Sequence, residues 1–145
     1  MHSDNIGDRL DALQEEFRAV GATVITGDSH LDVFQVIFDN HDGGLAGFVC
    51  HESPNVFYLE LIEAYHPYRG TGVARRLIGC LLTILDRQKM RCTLSAEQQD
   101  SATMPYDKLV AWYRRLGFKI TNKSQFCTKM HRKPQSTQPR RKDVS

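Results

Sequence analysis

The chain has 145 residues, enough for one core of helices packed on a sheet and too few for two ordinary domains. Hydrophobic content of 41% and charged content of 25% are those of a globular protein, and the longest apolar run, residues 77–85, is too short to cross a bilayer. The net charge of +2 conceals an asymmetry: residues 131–145 hold five Lys/Arg against Asp143, whereas residues 1–130 hold 14 basic and 16 acidic side chains. A nucleic-acid partner would have to be held by the tail or by a local patch.

The first residues lack the basic-then-apolar order of a secretory signal, which points to the cytoplasm. Cys50, Cys80, Cys92 and Cys127 form no C-x-x-C pair and lie in apolar patterns, as reduced core residues do. The six histidines show no ligand spacing either, so no metal is expected.

In chain order, Ile6, Leu10, Leu13, Phe17 and Val20 recur at helical spacing, with Ser3 or Asp4 as the cap and Gly21 as the stop. Residues 23–26 and 32–39 read as strands, the second with Phe34, Val36 and Phe38 alternating onto one face. Residues 40–44 tolerate positive φ and predict a hairpin into a strand over 45–50. A second turn over 52–55 leads to a longer strand over 56–65, expected to be central. Residues 72–88 are helical, with Val73, Leu77, Cys80, Leu81, Ile84 and Leu85 on the apolar face. A strand over 91–96, a polar loop over 97–104, a helix over 105–116 stopped by Gly117, and short strands over 118–121 and 125–130 complete the pattern. Beyond residue 130 almost no apolar residue remains, and the composition predicts a disordered basic tail over 131–145. The order of elements implies an α+β domain over residues 1–130, a mixed sheet with helices on it.

Between the long strand and the helix after it lies Arg69-Gly70-Thr71-Gly72-Val73-Ala74. Two glycines let backbone N–H groups converge, and the helix N-terminus adds its unpaired donors and the positive end of its dipole. Arg69 can add a charge-assisted bond, so a pyrophosphate suits the turn better than a carboxylate. The turn is neither a Walker A loop, since no Gly-Lys-Ser/Thr follows, nor a Rossmann G-x-G-x-x-G.

The same stretch resembles the Arg/Gln-x-x-Gly-x-Gly/Ala signature of the GNAT superfamily of N-acetyltransferases. About forty residues on, Tyr113-Arg114-Arg115-Leu116-Gly117-Phe118 is similar to the family's second signature, a Tyr four residues before Gly-Phe at a helix end. Physically, Tyr113 and Leu116 share a helix face and Gly117 supplies a left-handed stop. One departure stands out: the family often has an Asn after the strand preceding this helix, and residues 98–106 contain none.

The resemblance implies a mostly antiparallel sheet flanked by helices, with one parallel strand pair splayed apart to admit a pantetheine arm. It implies acetyl-CoA as acyl donor, without metal, and an amine of a small molecule, peptide or protein as acceptor. Arg69, Gly70, Thr71, Gly72, Val73 and Ala74 would hold the pyrophosphate, and the backbone of Ile62, Glu63 and Ala64 would hold the pantetheine and thioester. Tyr113 would protonate the departing thiolate, though its place also suits a core residue. A carboxylate on the central strand would serve as base, Glu60 before Glu63. Strand alternation puts the two on opposite faces unless a bulge intervenes, and either can equally be a solvated surface carboxylate. His66, beside Pro67, suits a surface turn better. Glu97, Asp100, Asp107 and the two strand glutamates would favour a cationic acceptor. Open slots in this fold are often completed by a second subunit, which leaves room for a homodimer.

Two alternatives remain open on the sequence. One is a toxin-like enzyme acetylating aminoacyl-tRNA, supported by the basic tail and by Arg75, Arg76, Arg114 and Arg115. The other is an acyl-CoA-binding regulatory module without turnover.

Overall fold

The computed structural model describes residues 6–21, 23–28, 33–40, 42–50, 52–65, 71–97, 105–125 and 127–135. The elements are α1 (Ile6–Ala19), β1 (Thr23–Asp28), β2 (Val33–Asn40), β3 (Gly43–Cys50), β4 (Ser53–Ala64), α2 (Val73–Arg87), β5 (Arg91–Glu97), α3 (Tyr106–Arg115), β6 (Lys119–Lys123) and β7 (Cys127–Arg132). The strands form one seven-stranded sheet in the order β1-β2-β3-β4-β5-β7-β6. Only β4 and β5 run parallel, joined by α2 as the crossover that such a pair requires. The expected α+β class and its single parallel pair are both observed.

Several boundaries differ from the sequence pattern. The β2–β3 hairpin is tighter than a five-residue turn: Asn40 pairs with Gly43 and Asp39 with Gly44, so both glycines are ladder residues. Likewise Cys50 pairs with Ser53, which draws most of the expected 52–55 turn into β4. The strand expected to stop at residue 130 continues to Arg132, whose side chain is 6% exposed, so residues 131 and 132 belong to the sheet rather than to a tail. An arginine at the end of a chain pattern looks solvated until its buried partner is known. Residues 136–145 lie outside the described residues.

The core lies between the sheet and its helices. Leu13 and Phe17 of α1, Leu77, Ile78, Leu81, Ile84 and Leu85 of α2, and Val110 of α3 are buried together with Leu45, Val49, Phe57, Leu59, Cys92, Leu94 and Met130 from the strands. Val20, expected on the α1 stripe, is 46% exposed because the helix ends at Ala19. On α2 the buried arc includes Ile78 and Leu82, while Cys80 is only half-buried. Of the other cysteines, Cys92 is buried and Cys50 and Cys127 are half-buried.

Ion pairs fix the helices to each other and to the sheet. Glu16 of α1 accepts from Arg87 Nε at 2.7 Å and from Gln88 Nε2 at 2.6 Å at the end of α2. Arg132 donates to both Asp86 oxygens at 2.7 and 3.1 Å, and its Nε donates to the Leu116 carbonyl at 2.9 Å. One guanidinium thus ties β7 to the C-terminal ends of α2 and α3. Tyr106 of α3 bonds the buried hydroxyl of Thr128 on β7. Because Thr128, Met130 and Arg132 alternate onto one face, α3 covers the same side of the sheet as α2.

Candidate active site

The site is organised by a parting in the sheet. The parallel ladder of β4 and β5 runs from Val56 opposite Arg91 to Leu59 opposite Leu94 and ends there, although β4 continues to Ala64 and β5 to Glu97. Residues 60–64 therefore keep β3 on one side and, among the described residues, have no strand on the other. Main-chain groups on that open side need another partner.

The parting coincides with a bulge. Ala46 pairs with Leu61 and Gly47 with Leu59, which leaves Glu60 as an extra residue in β4. Burial follows the slip: Phe57 and Leu59 face the core, then Ile62 and Ala64, and the intervening Glu60 and Leu61 are both exposed. Glu60 and Glu63 consequently share the face away from the helices. The bulge removes the choice between them that strict alternation would impose.

Across the slot, α2 begins at Gly72, which has φ 86° and ψ 11°. A side chain there would be strained by the left-handed backbone, although a Cβ would meet nothing within 4 Å among the described residues. Gly72 brings no side chain to cap the helix and no acidic residue stands in its first turn, whereas Arg75 and Arg76 do. Cations at a helix N-terminus oppose the macrodipole unless an anion joins them; Asp42 joins Arg76, and Arg75 has no carboxylate partner among the described residues. Thr71 precedes the cap, and Val73 and Ala74 open the helix. Arg69, Gly70 and His66 lie outside the described residues, as does Asp100; Glu97 and Asp107 are exposed.

In the sequence Asp42 reads as one more turn residue. Its buried carboxylate accepts both 2.8 Å and 2.7 Å bonds from Arg76 in the first turn of α2, and its carbonyl accepts from Tyr65 N–H at 2.8 Å just past β4. It holds together the two ends between which the glycine turn is strung. Gly43, its neighbour, allows this closeness: a Cβ there would stand 2.6 Å from both the Glu63 carbonyl and a Val73 methyl. The signal available in sequence was an Asp-Gly-Gly turn, which carries no hint of a partner 34 residues away.

Tyr113 lies in α3 with its ring edge-on to Trp112 and Phe118, at centroid distances of 5.1 and 5.6 Å. The residue is 7% exposed, and its hydroxyl has no hydrogen-bond partner among the described residues. Burial pushes its pKa up to about 12, with Cys92 of β5 adding to the effect. Cys92 pairs with Phe57, two residues before the strands part, so the phenol is packed beside the root of the slot. The helix after it ends as expected, with Gly117 at φ 100° and Phe118 N–H bonded to the Tyr113 carbonyl at 3.2 Å. Among the described residues no group of three or more His, Cys, Asp or Glu could hold a metal ion, and no helix is long and apolar enough to cross a membrane.

By sequence, no family model and no curated protein matches the chain. By structure it is similar to the PaiA N-acetyltransferase of Thermoplasma acidophilum in complex with coenzyme A, at TM-score 0.50 and 16% identity, over 70% of this chain and 61% of that one. Ard1 of Thermoplasma volcanium matches at TM-score 0.52 and 18% identity, over 70% and 71% of the two chains. Arabidopsis thaliana Naa50, in complex with the bisubstrate analogue CoA-Ac-MVNAL, matches at 0.50 and 16% over 70% and 72%. The chain spans about three fifths of the length of the first of these. With its seven-stranded order, its crossover helix and its parted parallel pair, this chain has the GNAT acetyltransferase fold.

Proposed function

We propose that the protein transfers an acetyl group from acetyl-CoA to an amine. The observation that carries this reading is the parting of β4 and β5 at the Glu60 bulge, directly before a glycine-opened, uncapped helix end. Those features fit the donor at three points. The N-terminus of α2, with Arg75 beside it, suits a pyrophosphate; the open edge of residues 60–64 suits an extended amide-bearing arm; the unpartnered Tyr113 hydroxyl suits its sulfur.

The residues then divide the chemistry. N–H groups on the open edge of β4 stabilise the charge that develops on the acyl oxygen as the amine lone pair forms the new N–C bond. Glu60 and Glu63, on one exposed face, take the proton that the amine nitrogen gives up, directly or through water. As the C–S bond breaks, Tyr113 donates a hydrogen bond to the leaving sulfur. A phenol near 12 is a weaker acid than an ordinary thiol near 8.5. Tyr113 therefore stabilises the thiolate chiefly by keeping its proton in place, and bulk solvent completes protonation of the free thiol. Two carboxylates beside the slot favour a cationic acceptor, such as a polyamine, an aminoglycoside or a lysine side chain.

The test is release of free coenzyme A thiol, followed with a thiol-reactive dye over a panel of amines. Tyr113→Phe is expected to lower kcat by roughly a hundredfold while leaving acetyl-CoA affinity nearly unchanged, the size of a lost transition-state donor. A wild type that binds acetyl-CoA and acetylates no amine would instead support a regulatory module.

A further inference from the structure

The charge of the chain is segregated by the fold. Residues 6–65 carry eleven carboxylates and two arginines, whereas residues 105–135 carry eight Lys/Arg and one carboxylate, Asp107. The second group lies on α3, β6 and β7, beside β5. A chain with almost no net charge in its body thus has one basic end.

Strand register arranges that end into a surface. One row of side chains crosses the sheet on the face opposite the helices: Phe48 beside Tyr58, Tyr58 beside Thr93, Thr93 beside His131, and His131 beside Lys119. Burial lowers the His131 pKa, and Arg91 and Lys133 stand close enough to add to the effect. Lys129, one pair along, faces the same way between Ser95 and Asn122. Arg91, Lys119, Lys129 and Lys133 are exposed, and none of them has a carboxylate partner among the described residues.

The other half of the row is aromatic. The Phe48 and Tyr58 rings are stacked, 4.9 Å between centroids and 8° from parallel, and both are half-buried on a face that no described helix covers. Thr93, a smaller side chain, stands between Tyr58 and His131, whose strands lie two spacings or about 10 Å apart, and a flat base can stack on Tyr58 above it. Cations beside rings on one face of a sheet match the two requirements of an unpaired strand: neutralised phosphodiesters and a surface on which a base stacks. A second copy of this chain would bring like charges together, and a membrane would leave the stacked rings without a purpose.

We propose that the helix-free face of the sheet binds single-stranded nucleic acid, with phosphates on Arg91, Lys119, Lys129 and Lys133 and a base against Tyr58 over Thr93. The surface shares the helix-free face of β4 with Glu60 and Glu63 but uses none of the residues assigned to acyl transfer, and its test needs no acyl donor, so the two readings can be told apart.

The experiment is fluorescence anisotropy with the full chain, without acyl donor, using labelled oligouridylate and oligodeoxythymidylate of about 12 nucleotides, a site size usual for such surfaces. The double substitution Lys119→Gln/Lys129→Gln should weaken binding about tenfold or more and flatten the plot of log affinity against log salt by about 1.4, two single-strand phosphate contacts. Tyr58→Leu should weaken binding about tenfold with the salt slope unchanged, and Tyr58→Phe should retain affinity, since stacking needs only the ring. The two exposed lysine sites keep the test valid should Tyr58→Leu fail to fold. Comparison of the two oligonucleotides separates RNA from DNA as the natural strand. No binding, binding that all three variants leave unchanged, or equal affinity for polyglutamate would overturn the proposal.

Discussion

A buried phenol without a hydrogen-bond partner is costly unless something else bonds it, and Tyr113 is such a group among the described residues. Its raised pKa has two consequences. An ordinary tyrosine is half-ionised near pH 10, but Tyr113 holds its proton to about 12, so turnover should show no loss of this donor up to about pH 10.5. The sign for stability is the opposite of a benefit at high pH. Between about 10 and 12 the unfolded chain releases the phenolic proton while the folded chain keeps it, so stability falls as pH rises, by roughly 2 to 3 kcal/mol across that window. Urea unfolding at about pH 9 and pH 11.5 should show this pH-dependent loss in the wild type, with a smaller loss in Tyr113→Phe. An equal loss in both would mean that the phenol is not held neutral by the fold. In sequence, Tyr113 stood out only by its distance from Gly117-Phe118. The absence of a partner for its hydroxyl depends on residues far away in the chain, and no local pattern carries that.

At the scale of elements, the strands and helices were legible because each shows its period over enough residues: α2 buries an unbroken arc from Val73 to Leu85, and α3 ends at its glycine. The bulge was not. A single extra residue in β4 changes nothing in composition and shows only when β3 is laid beside it, so sequence alternation left Glu60 and Glu63 on opposite faces. Shared placement changes the expected kinetics. If either carboxylate can take the amine proton, Glu60→Gln and Glu63→Gln should each lower kcat/KM by about tenfold or less, and the double variant by more than the product of the two, measured below the pKa of the acceptor amine. Strictly multiplicative effects would place the glutamates in separate roles. The hairpin before them was equally opaque: Asp42 braces both ends of the glycine turn through contacts with Arg76 and Tyr65 that its neighbours in sequence do not foretell.

Over the whole molecule, the pattern of charges decides what the average conceals. A body of 14 basic and 16 acidic side chains predicts no polyanion surface, yet residues 6–65 hold eleven carboxylates against two arginines, and residues 105–135, on α3, β6 and β7, hold eight Lys/Arg against one carboxylate. One member of the basic group is internal. Arg132 is buried with Asp86 and closes the end of the domain that the sequence assigned to a tail, so Asp86→Ala, which strands the guanidinium, should cost about 3 to 5 kcal/mol in chemical unfolding. A change under about 1 kcal/mol would show that water reaches the pair and that it is worth no more than a surface bridge. The fold as a whole, the order of its elements and the single parallel pair, was legible because two short signatures and the strand-loop-helix unit agree. The parting of β4 and β5 is a property of neither strand alone, and the acyl-transfer reading depends on it.

Calorimetric titration of acetyl-CoA into the full chain and into Gly72→Glu tests that reading most directly. Gly72 has a left-handed backbone before an uncapped helix end, so a glutamate there strains the turn and sets a carboxylate against the incoming phosphates. Saturable one-to-one binding by the wild type, lost in a Gly72→Glu variant that keeps its circular dichroism, is the predicted result. No heat of binding from a folded wild type, or equal affinity in the two proteins, would contradict the account.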